Sequence, residues 1–233
     1  MAVASESFHQ LLGRLDKKEC NHINHNIIGG LVRGEVIEIT GGHISGATSL
    51  LCNLALLHLK SNPSSHVIYI DCDRGVNPIK FEKLLCDMDN RNVDSSNILN
   101  RLILSSCNNN HEIVNILSEV VQGFRESSNH ADLVLVDNIL SFYWNNIYDK
   151  NVIFDKVVSN IKKIKDNCAV VLSKHPPIKS TKQLESMLPC QWSKVVTRKF
   201  EVINQNNPRN LIDLQNNSLS EFSIDSNGLL KLQ

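Results

Sequence analysis

The chain has 233 residues, 42% of them hydrophobic and 21% charged, and its 24 basic residues balance 24 acidic ones. This composition excludes a disordered or fibrous protein, and the length suits one α/β domain. Zero net charge excludes a global field that would hold DNA, so any nucleic-acid contact must come from a local patch or from a partner.

The cysteines and the apolar stretches bear on the compartment. The seven cysteines are scattered and odd in number, which is typical of a protein kept in a reducing environment. The N-terminal sequence MAVASESFHQ lacks the apolar core of a signal peptide. The most apolar longer stretch, 50–59, is too short to span a bilayer and is interrupted by Asn53 and His58. We therefore expect a soluble intracellular protein with no membrane partner.

Short apolar, β-branched segments alternate with helical patterns from residue 34 onward. The helical patterns cover 48–60, a segment that starts at Pro78, and the amphipathic stretches 113–124 and 153–164. The predicted strands are GEVIEIT (34–40), HVIYID (66–71), RLILSS (101–106), DLVLVD (132–137) and CAVVLSK (168–174). This alternation predicts a doubly wound α/β fold, with a parallel sheet flanked by helices.

The tail changes character from Trp192 onward. WSKVVTRKFEVIN, NLIDLQ and EFSIDSNGLLKL have strand patterns joined by polar turns. We expect C-terminal antiparallel strands that extend one edge of the sheet.

The segment GGHISGATSL (41–50) matches a phosphate-binding P-loop, G-x-x-x-x-G-K-[ST], except at one position. Gly41, Gly46 and Thr48 occupy the two glycine positions and the hydroxyl position, between a predicted strand and a predicted helix. Ala47 stands where the loop has its lysine. A glycine-rich turn also serves plain packing, and the loop alone does not separate the two interpretations.

Carboxylates at two further strand ends favour the nucleotide interpretation. Asp137 ends LVLVD, where a Walker B aspartate holds the magnesium shell, and Asp71 and Asp73 end the second strand, where a RecA-type ATPase keeps its water-activating glutamate. The carboxyl ends of parallel strands meet at one edge of a sheet. The predicted vestigial nucleotide site comprises Gly41, Gly46, Ala47, Thr48, Ser49, Asp73 and Asp137.

Hydrolysis at this site should be negligible. Losing a charge-assisted hydrogen bond of about 1.5–3 kcal/mol weakens triphosphate binding by roughly one to two orders of magnitude. Asp73 is one methylene shorter than a glutamate, and a misplacement of about 1 Å costs on the order of a hundredfold in rate. We therefore predict no catalytic residues and no enzyme activity, with ATP and magnesium bound weakly if at all.

Six segments resemble the eukaryotic RecA-family recombinase paralogues and together span most of the chain. The main departure from the family pattern is Ala47, because the P-loop of the family member that this chain most resembles retains lysine. The aromatic run FYW could also be a core plug, and LPCQW a packing segment under the sheet edge. The segments are SESFHQLLGRL (5–15), GEVIEI (34–39), IYIDCD (68–73), LILSSCNNN (102–110), LVLVDNILSFYW (133–144) and LPCQWSKVVTRKF (188–200).

The resemblance implies a RecA-like P-loop core and a nuclear role in homologous-recombination DNA repair. Such a protein helps the strand-exchange recombinase assemble on single-stranded DNA. It acts as one subunit among other recombinase paralogues, particularly the D-type. We expect a single domain over 1–233, with 1–33 as a lead-in and no room for a separate helical N-terminal domain. A subunit of this kind could cap an assembly rather than extend it.

A local basic patch after the fifth strand is the candidate DNA contact. RecA-type proteins place DNA-binding loops in this region, although His175 could equally be a packed residue. Lys162, Lys163 and Lys165 fit a solvated helix face better. The segment CNHINH (20–25) fits a solvated loop better than a metal site, since a fourth ligand is missing. The candidate DNA-binding residues are Lys174, His175, Lys179, Lys194, Arg198 and Lys199.

Two other functions are alternatives to the recombination hypothesis. An ATPase-lacking RecA-fold scaffold subunit of a tRNA-modification assembly would share the fold, but FYW and LPCQW argue for recombination. A working DNA-dependent ATPase is disfavoured by Ala47.

Overall fold

The computed structural model describes residues 23–25, 28–42, 44–88, 95–126, 131–143, 150–175, 188–203 and 208–232. Its strands are β1 (Ile23–His25), β2 (Gly29–Leu31), β3 (Val36–Gly41), β4 (Val67–Asp71), β5 (Leu102–Ser106), β6 (Leu133–Asp137), β7 (Ala169–Lys174), β8 (Arg198–Ile203), β9 (Arg209–Asp213), β10 (Ser218–Ile224) and β11 (Leu230–Leu232). Its helices are α1 (Ala47–Ser61), α2 (Pro78–Met88), α3 (Ser95–Leu99), α4 (Asn110–Glu126), α5 (Lys150–Lys165) and α6 (Cys190–Ser193).

Nine strands form one sheet in the order β11-β10-β9-β8-β3-β7-β6-β4-β5, and β1 and β2 form a separate antiparallel pair. Strands β8, β3, β7, β6, β4 and β5 pair parallel with one another, whereas β8 with β9, β9 with β10 and β10 with β11 pair antiparallel. The five predicted parallel strands and the α/β class are confirmed. No helix in the described part of the chain has both the length and the apolar content needed to cross a membrane.

The tail prediction was wrong at its beginning. Trp192 lies in the short helix α6, and β8 begins only at Arg198 and runs parallel to β3. The chain returns to the start of β3 before β8, where the Thr197 N–H donates to the Val36 carbonyl at 2.8 Å. The next strand therefore enters from the same end as β3, and the antiparallel extension starts at β9.

The sheet is covered on both faces, which explains the continuous apolar runs. Every residue of β3, β4, β6 and β7 is buried. One core layer holds the apolar residues of α1 and α2, and the other holds those of α4 and α5. The structure is thus a three-layer α/β arrangement.

The FYW and LPCQW segments meet in the core. The Tyr143 ring packs edge-on to Phe154 at 5.1 Å between centroids, and Phe154 packs against Trp192 at 5.4 Å. Tyr143 and Trp192 are only about 2% exposed. For these two residues the packing alternative is therefore confirmed. Trp144 lies outside the described residues.

A buried polar cluster joins β3 to β7 and α6. Lys174 donates from Nζ to Glu38 Oε1 at 2.7 Å, and Trp192 donates from Nε1 to Glu38 Oε2. Both charged residues are 1% exposed. A charge buried this deeply is tolerated only when it is paired. The prediction that Lys174 contacts DNA is therefore wrong, because its ammonium is inside the protein.

Replacing Lys174→Met should lower the free energy of unfolding by about 3–5 kcal/mol, because Glu38 would keep a buried charge without its partner. The double variant Lys174→Met, Glu38→Leu should lose less than the single variant. Urea unfolding measures both. Lys163→Met on the exposed side of α5 is the control and should change stability by less than about 0.5 kcal/mol. Equal losses in the single variant and the control would contradict a stabilising pair.

Candidate functional site

The glycine loop joins β3 to α1 in a tight turn, as the sequence predicts. Gly46 has φ +91°, a left-handed backbone that favours glycine. A Cβ on Gly41 would lie 2.7 Å from the Ser45 Cβ, so a side chain has no room there. The Ser45 hydroxyl accepts a hydrogen bond from the Ala47 N–H at 3.3 Å. The loop thus has the strand, turn and helix context of a phosphate-binding loop.

Asp137 lies buried at the end of β6, beside the first turn of α1. Ser173 donates to Oδ1 at 2.6 Å and Tyr69 donates to Oδ2 at 3.0 Å. Burial raises the pKa of Asp137, although hydrogen bonds from Ser173, Thr48 and Tyr69 oppose the rise. The Asp137 carboxylate therefore meets the Thr48 hydroxyl of the loop.

Thr48 and Asp137 are hard oxygen donors of the kind that Mg²⁺ prefers. Magnesium usually takes one or two protein ligands and fills its remaining positions with phosphate oxygens and water. These two residues fit that role and would hold the ion at the outer phosphates. Among the residues described, no group of three or more His, Cys, Asp or Glu is placed to bind a metal without such help.

Asp73 follows β4 and is held by protein donors. Asn138 donates from Nδ2 to both Asp73 oxygens, at 3.2 and 3.0 Å, and the Ser141 hydroxyl also donates to Oδ1. Asp71 shapes the turn that presents Asp73, since its buried carboxylate accepts the Val76 N–H at 2.9 Å. Asp73 is therefore braced within the site.

His175 connects the three parts of this site. Its Nδ1 lies 3.0 Å from the Gly41 carbonyl, and its N–H donates to Asn138 Oδ1 at 3.1 Å. Its Nε2 lies 3.9 Å from Asp73 Oδ2 and 4.0 Å from Asp137 Oδ1. The side chain is 9% exposed. The structure therefore puts His175 in the nucleotide-like site and not on an open DNA-facing surface, which corrects the DNA-contact prediction.

The other residues of the predicted DNA patch lie in different settings. Arg198 donates to the Gly30 carbonyl at 3.1 Å and to the Ile28 carbonyl, so its guanidinium holds the lead-in segment. Lys194 is exposed and Lys199 is half-buried. Lys179 lies outside the described residues. A DNA contact through Lys194 or Lys199 stays a prediction.

Sequence reasoning missed the residues that brace the site from neighbouring strands. Tyr69 and Ser173 sit inside strand patterns that look purely structural, and Asn138 has φ 60°, which no local motif predicts. Arg209 on β9 also approaches the loop, with Nε 3.4 Å from the position of a Cβ on Gly46. Of these residues, only Asn138 has a sequence position that points to the site, because it directly follows the strand that ends at Asp137.

Half of the chain is similar to a bacterial recombinase. Over 115 residues it is 30% identical to Protein RecA of Streptomyces ambofaciens and of Streptomyces venezuelae, and 29% identical to that of Streptomyces coelicolor. The match covers 48% of this chain and spans only about a quarter of those RecA proteins (25%). No protein-family model matches the chain. The similarity supports a distant relationship to the RecA family and agrees with the fold.

Tyr69→Phe should lower the free energy of unfolding by about 1–2 kcal/mol, because buried Asp137 loses a donor. Tyr69 donates to the ionised carboxylate, so the loss should grow as pH rises through the raised pKa of Asp137 and shrink below it. Urea unfolding over a range of pH measures this. Tyr143→Phe is the matched control, since its hydroxyl donates to Asn151 on an exposed position of α5. A pH-independent loss in Tyr69→Phe would contradict the charge-assisted bond.

Proposed function

We propose that this chain is a RecA-fold subunit of homologous-recombination DNA repair that promotes recombinase assembly on single-stranded DNA through protein contacts, with little or no ATP hydrolysis. Its counterpart would be a recombinase paralogue of the kind represented by X-ray repair cross-complementing protein two. Its partners would be the D-type paralogue and the strand-exchange recombinase, and its compartment the nucleus.

The observation that supports the proposal is that Ala47 and Asp73 occupy the positions where an active site of this kind would have its lysine and its glutamate. The loop, Thr48 and Asp137 stand in the geometry of a nucleotide site, but Ala47 offers no ammonium. Asp73 is bonded to Asn138 and Ser141, so it is poorly placed to activate water. A loop that keeps its fold without a lysine and without a free carboxylate to activate water fits a role in assembly.

The distant similarity to RecA supports the recombination class over an unrelated use of the fold. The activity and the partners of a whole RecA protein extend beyond the matched quarter and come to this chain only as part of the proposal. The FYW and LPCQW resemblance adds weight, although the described rings of these segments serve the core.

Purified protein should release phosphate from ATP no faster with single-stranded DNA than without it. The reason is that neither Ala47 nor Asp73 supplies the groups that the chemical step needs. Asp137→Asn, which removes the carboxylate at the magnesium position, is the control and should have the same rate. DNA-stimulated release that Asp137→Asn abolishes would make the protein a working ATPase and end the proposal.

Co-purification tests the partner class. A tagged chain expressed in cells should recover the D-type recombinase paralogue, and the two purified proteins should form a complex by size-exclusion chromatography. Recovery of a tRNA-modification assembly in place of recombinase proteins would contradict the proposal and favour the alternative scaffold function.

A further inference from the structure

We propose that Arg209 supplies the phosphate-binding cation that the glycine loop lacks at Ala47, so that the loop binds the phosphates of a nucleoside polyphosphate. The cation comes from the neighbouring sheet edge and not from the loop itself. This inference names the ligand of the site and rests on the proposed function only for the absence of hydrolysis.

Strand pairing aims Arg209 at the loop. Arg209 opens β9 and pairs with Phe222 on β10. Leu211 and Phe222 are buried in the core layer that contains α1, and residues two apart on a strand share a face. Arg209 therefore projects to the α1 side of the sheet. Its Nε and Cδ lie 3.4 and 3.5 Å from the position of a Cβ on Gly46.

The Arg209 guanidinium carries two nitrogens that have no partner in the described part of the chain. Its Nε and Nη1 are buried, and neither has a hydrogen-bond partner among the residues that the structure describes. Arg209 as a whole is only partly buried, but a guanidinium is always charged, and charged nitrogens shut off from solvent without a partner are unfavourable. Native proteins seldom keep such donors unless water, a ligand or an ion satisfies them. Because these two nitrogens belong to a cation that approaches the glycine loop, an anion is the partner that fits them best.

The N-terminus of α1 is a second positive group next to Arg209. The first backbone N–H groups of α1 lack intrahelical partners, and the start of the helix carries a partial positive charge. Arg209 approaches Gly46, the residue directly before that helix. The Ala47 N–H already donates to the Ser45 hydroxyl, but the guanidinium and the positive start of the helix still repel each other unless an anion lies between them. A phosphate accepts from both, and the planar guanidinium fork suits its oxygens.

Other basic residues near the site are already engaged. Lys174 is paired with Glu38 and belongs to the buried cluster with Trp192, so it is not the replacement cation. Lys80 donates to the Gly75 carbonyl at 3.3 Å. Arg74 donates to Asn108. Arg209 both approaches the loop and retains donors without a partner, which distinguishes it from these three residues.

Calorimetry with magnesium and ATP, ADP or inorganic pyrophosphate tests the proposal. Arg209→Ala should bind ATP about 10- to 100-fold more weakly than the natural protein, as expected for loss of a charge-assisted hydrogen bond. Arg209→Lys should keep part of the affinity. Adding Ala47→Lys to Arg209→Ala should restore it, because the cation returns to the loop. Lys231→Ala, whose side chain is 63% exposed on β11, is the matched control and should bind normally.

Thermal unfolding separates a ligand role from a structural one. ATP should raise the Tm of the natural protein but not that of Arg209→Ala. Without ligand, Arg209→Ala should melt at the same or a higher temperature, because it removes two buried guanidinium nitrogens that have no partner among the described residues. A lower ligand-free Tm with unchanged ATP affinity would make Arg209 a packing residue and overturn the proposal. Pyrophosphate binding as tight as ATP would overturn the nucleoside part alone.

Absence of binding by the folded natural protein to all three ligands would also overturn the inference. That outcome would leave the recovery of recombinase partners unaffected, so failure here and failure of the assembly function are distinguishable. Conversely, binding that depends on Arg209 would stand even if co-purification recovered a different partner class.

Discussion

The buried position of β3 is the constraint on which the site depends. This strand lies between β7 and β8 with every residue buried, and its last residue begins the glycine loop. Glu38 on the same strand holds Lys174 of β7 and Trp192 of α6. Hydrogen-bonded charges inside a core are sensitive to small displacements. This cluster therefore fixes the position of β3 relative to its neighbouring strands. The loop inherits its position from that arrangement.

Parallel pairing then assembles the site from distant parts of the chain. Asp71 and Asp137 are directly opposite in the pairing of β4 with β6, and β7 ends beside them at Lys174. Each strand adds a short polar segment where it leaves the sheet. Asp73, Asn138 and His175 are consequently neighbours although more than sixty residues separate the first from the second. The sheet edge acts as the common frame, and the polar groups brace one another across it.

The elements that the sequence predicts well are those with a dominant local signal. Continuous β-branched runs predicted five parallel strands, and the glycine spacing predicted the turn before α1. The buried state of Lys174 was not predictable, because its partner Glu38 is 136 positions away. The direction of β8 depends on where the chain enters that strand, with Thr197 hydrogen-bonded to Val36 at the start of β3, and periodicity does not report this. Arg209 was not predicted either, because its approach to Gly46 depends on which face of the sheet a residue of β9 occupies.

Helix α1 gives the site a property that no single contact explains. Ten of its fifteen residues are buried, including Asn53, which binds the Ser49 and Gly228 carbonyls and the Leu230 N–H. A helix enclosed in this way has little freedom to fray at its start. The first amide groups of α1 are therefore held in place before any ligand arrives, and a ligand that binds them loses little free energy to ordering the backbone. The rigidity that the core gives to the start of α1 thus offsets part of the phosphate affinity lost because Ala47 replaces lysine.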